Sequence, residues 1–186
     1  LQDIDNLVTE VKNTFGKIDV LFLNAGVASF SPIEFTTEDQ FDTLVDTNFK
    51  GSFFTLQKFI SILNEGASVV FLTAGITGMN MANSAAYSAS KSAVSHLAKI
   101  AAKELAPKKI RVNIVSPGPI STEIEDKMGL DKATITGMKE KLVSQVPLAK
   151  MGVPEDVAKM VTFLSDNTTS SFITGSEFLI DGRIAL

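Results

Sequence analysis

Tyr87 and Lys91 stand four residues apart in the run Tyr-Ser-Ala-Ser-Lys. On a helix this interval puts both side chains on one face, with Cβ atoms about 5–6 Å apart. A phenol and an ammonium are then held side by side. A nearby positive charge favours the phenolate and lowers the tyrosine pKa, giving a proton donor or acceptor usable near neutral pH. Val94, Ala98, Ala101 and Leu105 continue the same stripe, so the pair is expected on the face that points inward. Tyr-x-x-x-Lys is weak by itself, because a lysine snorkelling from an amphipathic core helix leaves the same trace.

Two amides add to the pair. Asn48 falls among Phe41, Leu44, Val45, Phe49 and Leu56, where the helical pattern calls for an apolar side chain. A buried amide without partners costs about 1–3 kcal/mol, so Asn48 must bond something specific. It either bridges backbone groups or orders water leading to the Lys91 ammonium. Asn24 ends the apolar run Ile18 to Leu23 and is followed by Ala25 and Gly26. There it is either a turn-forming residue or a ligand-edge residue, since open α/β sheets bind ligands at the carboxyl ends of their strands.

The elements that must position these residues follow from periodicity. Ile4, Leu7, Val8, Val11 and Phe15 predict a helix closed by Gly16. Ile18 to Leu23 reads as a strand buried on both faces, with Gly51 placed to let the next helix bend. Thr37 and Gln40 form a capping box that opens this helix, running to Leu63. Ser68 to Thr73 is the second strand, Ile110 to Ser116 the third and Glu177 to Ile180 the last. The Tyr87 helix closes at Pro107, and Pro154, with Glu155 and Asp156 behind it, opens another through Leu164. Ser121 to Gln145 is more polar and reads as a mobile lid with short helices. Alternating strands and helices predict a single α/β domain over residues 1–186, a Rossmann-like doubly wound parallel sheet in three layers. Asn24, Thr73 and Pro117 then converge on one crevice.

Composition narrows the function classes. The chain has 186 residues, 45% of them hydrophobic, and a net charge of −4 without a basic run, which argues against a nucleic-acid or anionic-membrane partner. No cysteine is present, excluding disulfides and thiolate chemistry and suiting a cytoplasmic location. The one histidine, His96, lies about 180° around the helix from Tyr87 and reads as a surface residue, so neither a metal site nor a Ser-His-Asp triad is expected. No apolar run is long enough to span a membrane.

With these residues in place the chain resembles the classical short-chain dehydrogenase/reductase family over essentially its whole length. The resemblance rests on Asn24-Ala25-Gly26, Asn48, Tyr87 with Lys91, the run Ile110 to Thr122, and Val153-Pro-Glu-Asp-Val-Ala158. It implies hydride transfer between NAD or NADP and a small carbonyl or alcohol. Tyr87 would exchange the proton with the substrate oxygen, and Lys91 would lower the tyrosine pKa and bind the nicotinamide ribose. Asn48 would support a relay water. Pro117, Gly118, Ile120 and Thr122 would lie against the nicotinamide, and Asn24, Ala25 and Gly26 under the adenosine half. A homotetramer or homodimer is implied, to which the many alanines of the Tyr87 helix are suited.

Three departures from the family pattern stand out. The N-terminal glycine-rich turn that receives the pyrophosphate is absent, as are roughly 60 residues at about 30 per βαβ unit. Upstream sequence is therefore expected; without it the first strand would present a long apolar edge. The family's catalytic serine, thirteen residues before the tyrosine, is Ala74 here. Thr73 or Thr77 would have to replace it, and losing such a donor costs about 10²–10³ in turnover. Asp-Gly-Gly near the carboxyl end is Asp181-Gly182-Arg183. The alternative class is a catalytically silent module that senses cofactor or binds a partner; against it stands Lys91, a charge that is costly to bury unused.

Overall fold

A computed structural model of the chain describes residues 1–122 and 131–185. Helix α1 (Gln2–Phe15) ends at Gly16, whose φ of 74° needs a residue without a Cβ. Strand β1 (Ile18–Leu23) follows. Thr37 accepts a hydrogen bond from the Gln40 amide and starts α2 (Glu38–Leu44). The long helix expected beyond it is broken: Val45–Lys50 is a π-helical turn, and Gly51 opens α3 (Gly51–Phe59) with its N–H bonded to Asp46. The wider turn places Asn48 inside, fully buried, while Phe41, expected inside, is 48% exposed.

Strand β2 (Leu63–Leu72) begins earlier than its apolar run. Ile18 already pairs with Leu63, and the register shifts before Val20 pairs with Ser68. Gly66, at φ +83°, accommodates the irregularity that makes Asn64-Glu65-Gly66 look like a turn in sequence. Helix α4 (Ala85–Leu105) leads to β3 (Arg111–Pro117), then α5 (Lys132–Gln145), α6 (Pro154–Ser165), α7 (Asn167–Ser170) and β4 (Glu177–Ile180). At α6, the Asp156 carboxylate accepts the Val153 N–H, closing the first turn. Part of the expected lid, residues 123–130, lies outside the described residues.

The four described strands are all parallel, in the order β1-β2-β3-β4. Val69, Phe71, Val112 and Ile114 pack against Val94, Ala98 and Leu105 of α4, with Leu56 and Phe59 of α3. Val70 and Val115, on the opposite face, pack against Leu164, Val157 and Val161 of α6. Helices thus cover both faces, as a doubly wound α/β sheet requires. Since β2 to β3 and β3 to β4 step in the same direction but cross opposite faces, the two connections have opposite hands. One of them breaks the strong right-handed preference.

Strand β1 departs from expectation. Leu21 and Leu23 are buried, but Val20 and Phe22 are 40% and 38% exposed. It lies at the sheet edge, with one face covered. Among the described residues, no helix is long and apolar enough to cross a membrane.

Candidate active site

All four strands point their carboxyl ends to one side, and α4 starts there. Tyr87 is half-buried in the first turn of α4, and its ring meets that of Phe30 edge to face, with centroids 5.5 Å apart and an interplanar angle of 67°. One turn further on, Lys91 is only 5% exposed and its Nζ donates to the Leu72 carbonyl at 3.2 Å. Gly26 is pressed against this ammonium: a Cβ at Gly26 would lie 2.9 Å from Lys91 Nζ and 3.1 Å from Asn48 Oδ1. The structure therefore brings Gly26, Asn48, Tyr87, Lys91 and the end of β2 together.

Asn48 binds the Val27 backbone from both sides. Its Oδ1 accepts the Val27 N–H at 2.8 Å, and its Nδ2 donates to the Val27 carbonyl and to Ser90 Oγ, both at 3.0 Å. Ser52 Oγ donates to the Asn48 carbonyl at 2.6 Å. Both amide protons are committed, so Asn48 fixes the loop after β1 to α4 beneath the Tyr87 turn.

The electrostatics correct one expectation. Burial raises the Tyr87 pKa above its ordinary 10.0 and lowers that of Lys91 below 10.5. Burial is the cause resolved for Tyr87, and the anticipated lowering of the phenol by the ammonium does not emerge. The site holds a neutral, proton-bearing phenol beside a poorly hydrated ammonium.

Thr73 and Thr77 are both engaged elsewhere. Ser116 Oγ donates to Glu177 Oε1 at 2.7 Å and also contacts Thr73 Oγ1 at short range. A hydroxyl has one proton. Ser116 gives its proton to Glu177, so the Thr73 hydroxyl donates to Ser116 Oγ or to the Val115 carbonyl at 3.5 Å, and its proton points into the sheet either way. Thr77 Oγ1 likewise donates to the Ala74 carbonyl at 3.1 Å. Ala74 itself is buried and extended, with φ −156° and ψ 134°. Neither threonine offers a free proton where the serine of the family pattern would.

Glu177 was legible only as the polar first residue of an apolar strand. Besides Ser116 it accepts from Ser95 Oγ at 3.3 Å and Lys99 Nζ at 3.0 Å. Burial acts to raise its pKa, but these donors outweigh it and hold the carboxyl below its ordinary 4.5.

Two backbone segments complete the rim. Asn24, Ala25 and Gly26 are exposed just beyond β1. The turn after β3 is fixed by close backbone approach: Gly118 donates to the Ile180 carbonyl at 3.0 Å, and a Cβ there would strike Asp181 at 2.6 Å. Ile120 bridges to Gly152, and Ser121 donates to the Gly152 carbonyl at 2.9 Å. Pro117, Gly118 and Ile120 are thereby set on the same edge as Leu72, with Thr122 exposed beyond them.

A family model described as enoyl-(acyl carrier protein) reductase matches residues 1–182. The chain belongs to the short-chain dehydrogenase/reductase family. It is 37% identical to an uncharacterized oxidoreductase of Methylorubrum extorquens over 180 residues, 96% of this chain and 70% of that one. It is 34% identical to the 3-oxoacyl-[acyl-carrier-protein] reductase FabG of Thermotoga maritima, over 98% of this chain and 72% of that one. Among solved structures, the ligand-free aldohexose dehydrogenase of Thermoplasma acidophilum superposes with a TM-score of 0.91 at 28% identity, covering 98% of this chain and 73% of that one. Its relatives are oxidoreductases, and this short-chain dehydrogenase/reductase chain shares their Rossmann-like sheet.

Proposed function

We propose that the chain is an NAD- or NADP-dependent oxidoreductase acting on a small carbonyl or alcohol, with Tyr87 as the proton-transferring group. The observation that carries this is Lys91: an ammonium 5% exposed, one helical turn from the one tyrosine, donating a hydrogen bond to the Leu72 carbonyl. An ammonium has three donors. The remaining two suit the hydroxyls of a nicotinamide ribose, and glycine at position 26 keeps the space before them clear. The fit extends to this half of the cofactor; the sequence contains no glycine-rich phosphate turn of the kind that receives a pyrophosphate. When bound, the nicotinamide supplies or accepts the hydride.

The chain's own residues do the rest. Tyr87 gives its phenolic proton to the substrate oxygen as carbonyl becomes alcohol, and recovers it in the reverse direction. Its raised pKa keeps that proton in place at neutral pH. Lys91 would hold the ribose and place positive charge near the developing phenolate. Asn48 positions the loop that carries Gly26 and Val27. With Ala74 in place of a hydroxyl donor, turnover is slow. The same proposal sets the protein in the cytoplasm as a homodimer or homotetramer associating through the small-residue face of α4, where Ala85 and Ala89 are exposed.

The test is a titration of the folded chain with NADH and NADPH, followed by reductase assays of wild type, Tyr87→Phe and Ala74→Ser. Saturable binding of one cofactor is expected, with activity abolished in Tyr87→Phe and raised in Ala74→Ser. Unchanged turnover in Tyr87→Phe removes Tyr87 from the mechanism. Silence of all three chains on a broad carbonyl panel favours the sensing or interaction module.

A further inference from the structure

Phe30 is the one aromatic ring in contact with Tyr87 among the described residues, yet it is 51% exposed. Its position is fixed from three sides. Asn48 clamps Val27, Ser29 is hydrogen-bonded by Gln40 of α2, and the Ser31 N–H donates to the Asn83 carbonyl at 2.8 Å, just ahead of α4. A half-exposed ring held by a pinned loop against the proton-transferring group is a wall whose second side is unfilled. The other contributions to this rim are of the same character. Asn24 to Ile33, Leu72 to Ser90 and Ser116 to Thr122 contain no charged side chain, the buried Lys91 following directly on the second of them, and Met81 is 41% exposed in the segment that Ser31 contacts.

We infer that Phe30 is the specificity-determining wall of the site and that it selects an uncharged carbonyl compound with an apolar body, a medium-chain alkyl ketone or the matching alcohol. This rests on Tyr87 being the proton-transferring group proposed above. The substrate oxygen meets the Tyr87 phenol while its hydrocarbon portion covers the open side of the Phe30 ring. An apolar contact of this kind discriminates by about 10- to 200-fold. A carboxylate at the far end of the same hydrocarbon, away from the Lys91 ammonium, would have to shed its water against the ring.

The chain contains one tyrosine and no tryptophan, so its tyrosine emission comes from Tyr87 alone. This permits a binding test that needs no turnover. Tyr87 emission is titrated with 2-octanone and with 7-oxooctanoate, in which a carboxylate replaces the terminal methyl of the hydrocarbon portion, in wild type, Phe30→Leu and Phe30→Ala. Circular dichroism confirms that each variant is folded. A saturable response to 2-octanone is expected at concentrations at least tenfold below those for 7-oxooctanoate. Phe30→Ala should weaken 2-octanone about tenfold, with Phe30→Leu between. Equal affinity for the two compounds, or unchanged 2-octanone affinity in Phe30→Ala, overturns the inference. Turnover with NADH or NADPH is measured separately: binding without turnover leaves the apolar site standing and removes hydride transfer.

Discussion

Asn48→Ala removes the clamp on the loop after β1. Three hydrogen bonds are lost, at 2.8, 3.0 and 3.0 Å, from a side chain with no solvent exposure. At about 0.5–1.5 kcal/mol net for each, the expected destabilisation is about 2–4 kcal/mol. For a domain of this size that lowers Tm by roughly 5–15 °C. Urea unfolding followed by circular dichroism gives the free energy, and an unchanged m-value confirms that the denatured state is unaltered. Asn48→Leu, which keeps volume but not polarity, should lose a comparable amount, separating lost bonds from lost packing. A cycle with Ser90→Ala should show a coupling of about 1 kcal/mol, since Ser90 also donates to the Tyr87 carbonyl at 2.7 Å and is not left bare. A loss below about 1 kcal/mol in Asn48→Ala would refute the clamp.

Three further outcomes are expected. Tyr87 is the single phenol, so an alkaline absorbance titration reads it alone; its midpoint should lie above 10.0, and a midpoint at or below that value would mean that the Lys91 charge does reach it. Because the folded chain keeps that proton longer than the unfolded chain, the stability linked to it is complete below pH 10.0 and is lost as pH rises through the folded value. Glu177 has the opposite sign: its lowered pKa contributes stability above pH 4.5 that is lost as pH falls through the folded value, so Glu177→Gln should flatten the acid limb of a stability–pH curve. Arg183 has φ +73° directly after Gly182 at φ +59°; Arg183→Gly should raise stability by about 1 kcal/mol in urea unfolding, and a decrease would show that the arginine side chain offsets the strain.

The sequence carried β1 and β4 to their ends because each is a short apolar run between polar stops. It missed the start of β2 because Gly66 lets polar residues continue a strand that composition marks as a turn. The break at Val45–Lys50 was signalled only by Gly51, which marked where the helix could bend; a π turn before it needs no proline or unusual residue type. Asn48 was visible as an amide in an apolar stripe, and so was its need for partners. Which partners was not, since Val27 and Ser90 reach it only through the fold. Thr73 shows the sharper limit. Its residue type suggested a donor, but the direction of its proton depends on Glu177, which arrives from the far end of the chain.

The all-parallel sheet also dictates how the molecule can come into being. No pair of the described strands forms by a local hairpin; Thr73 meets Ser116 across 43 residues, and Ser116 meets Glu177 across 61. Each pairing waits on closure of a long loop, so folding should be slow for a chain of this length. The carboxylate that orients the Thr73 hydroxyl sits on the strand with the longest of these closures. A nascent chain would therefore gather Tyr87 and Lys91 on α4 before β4 docks, and the arrival of Glu177 would then take up the Ser116 proton and leave Ser116 Oγ as an acceptor for Thr73.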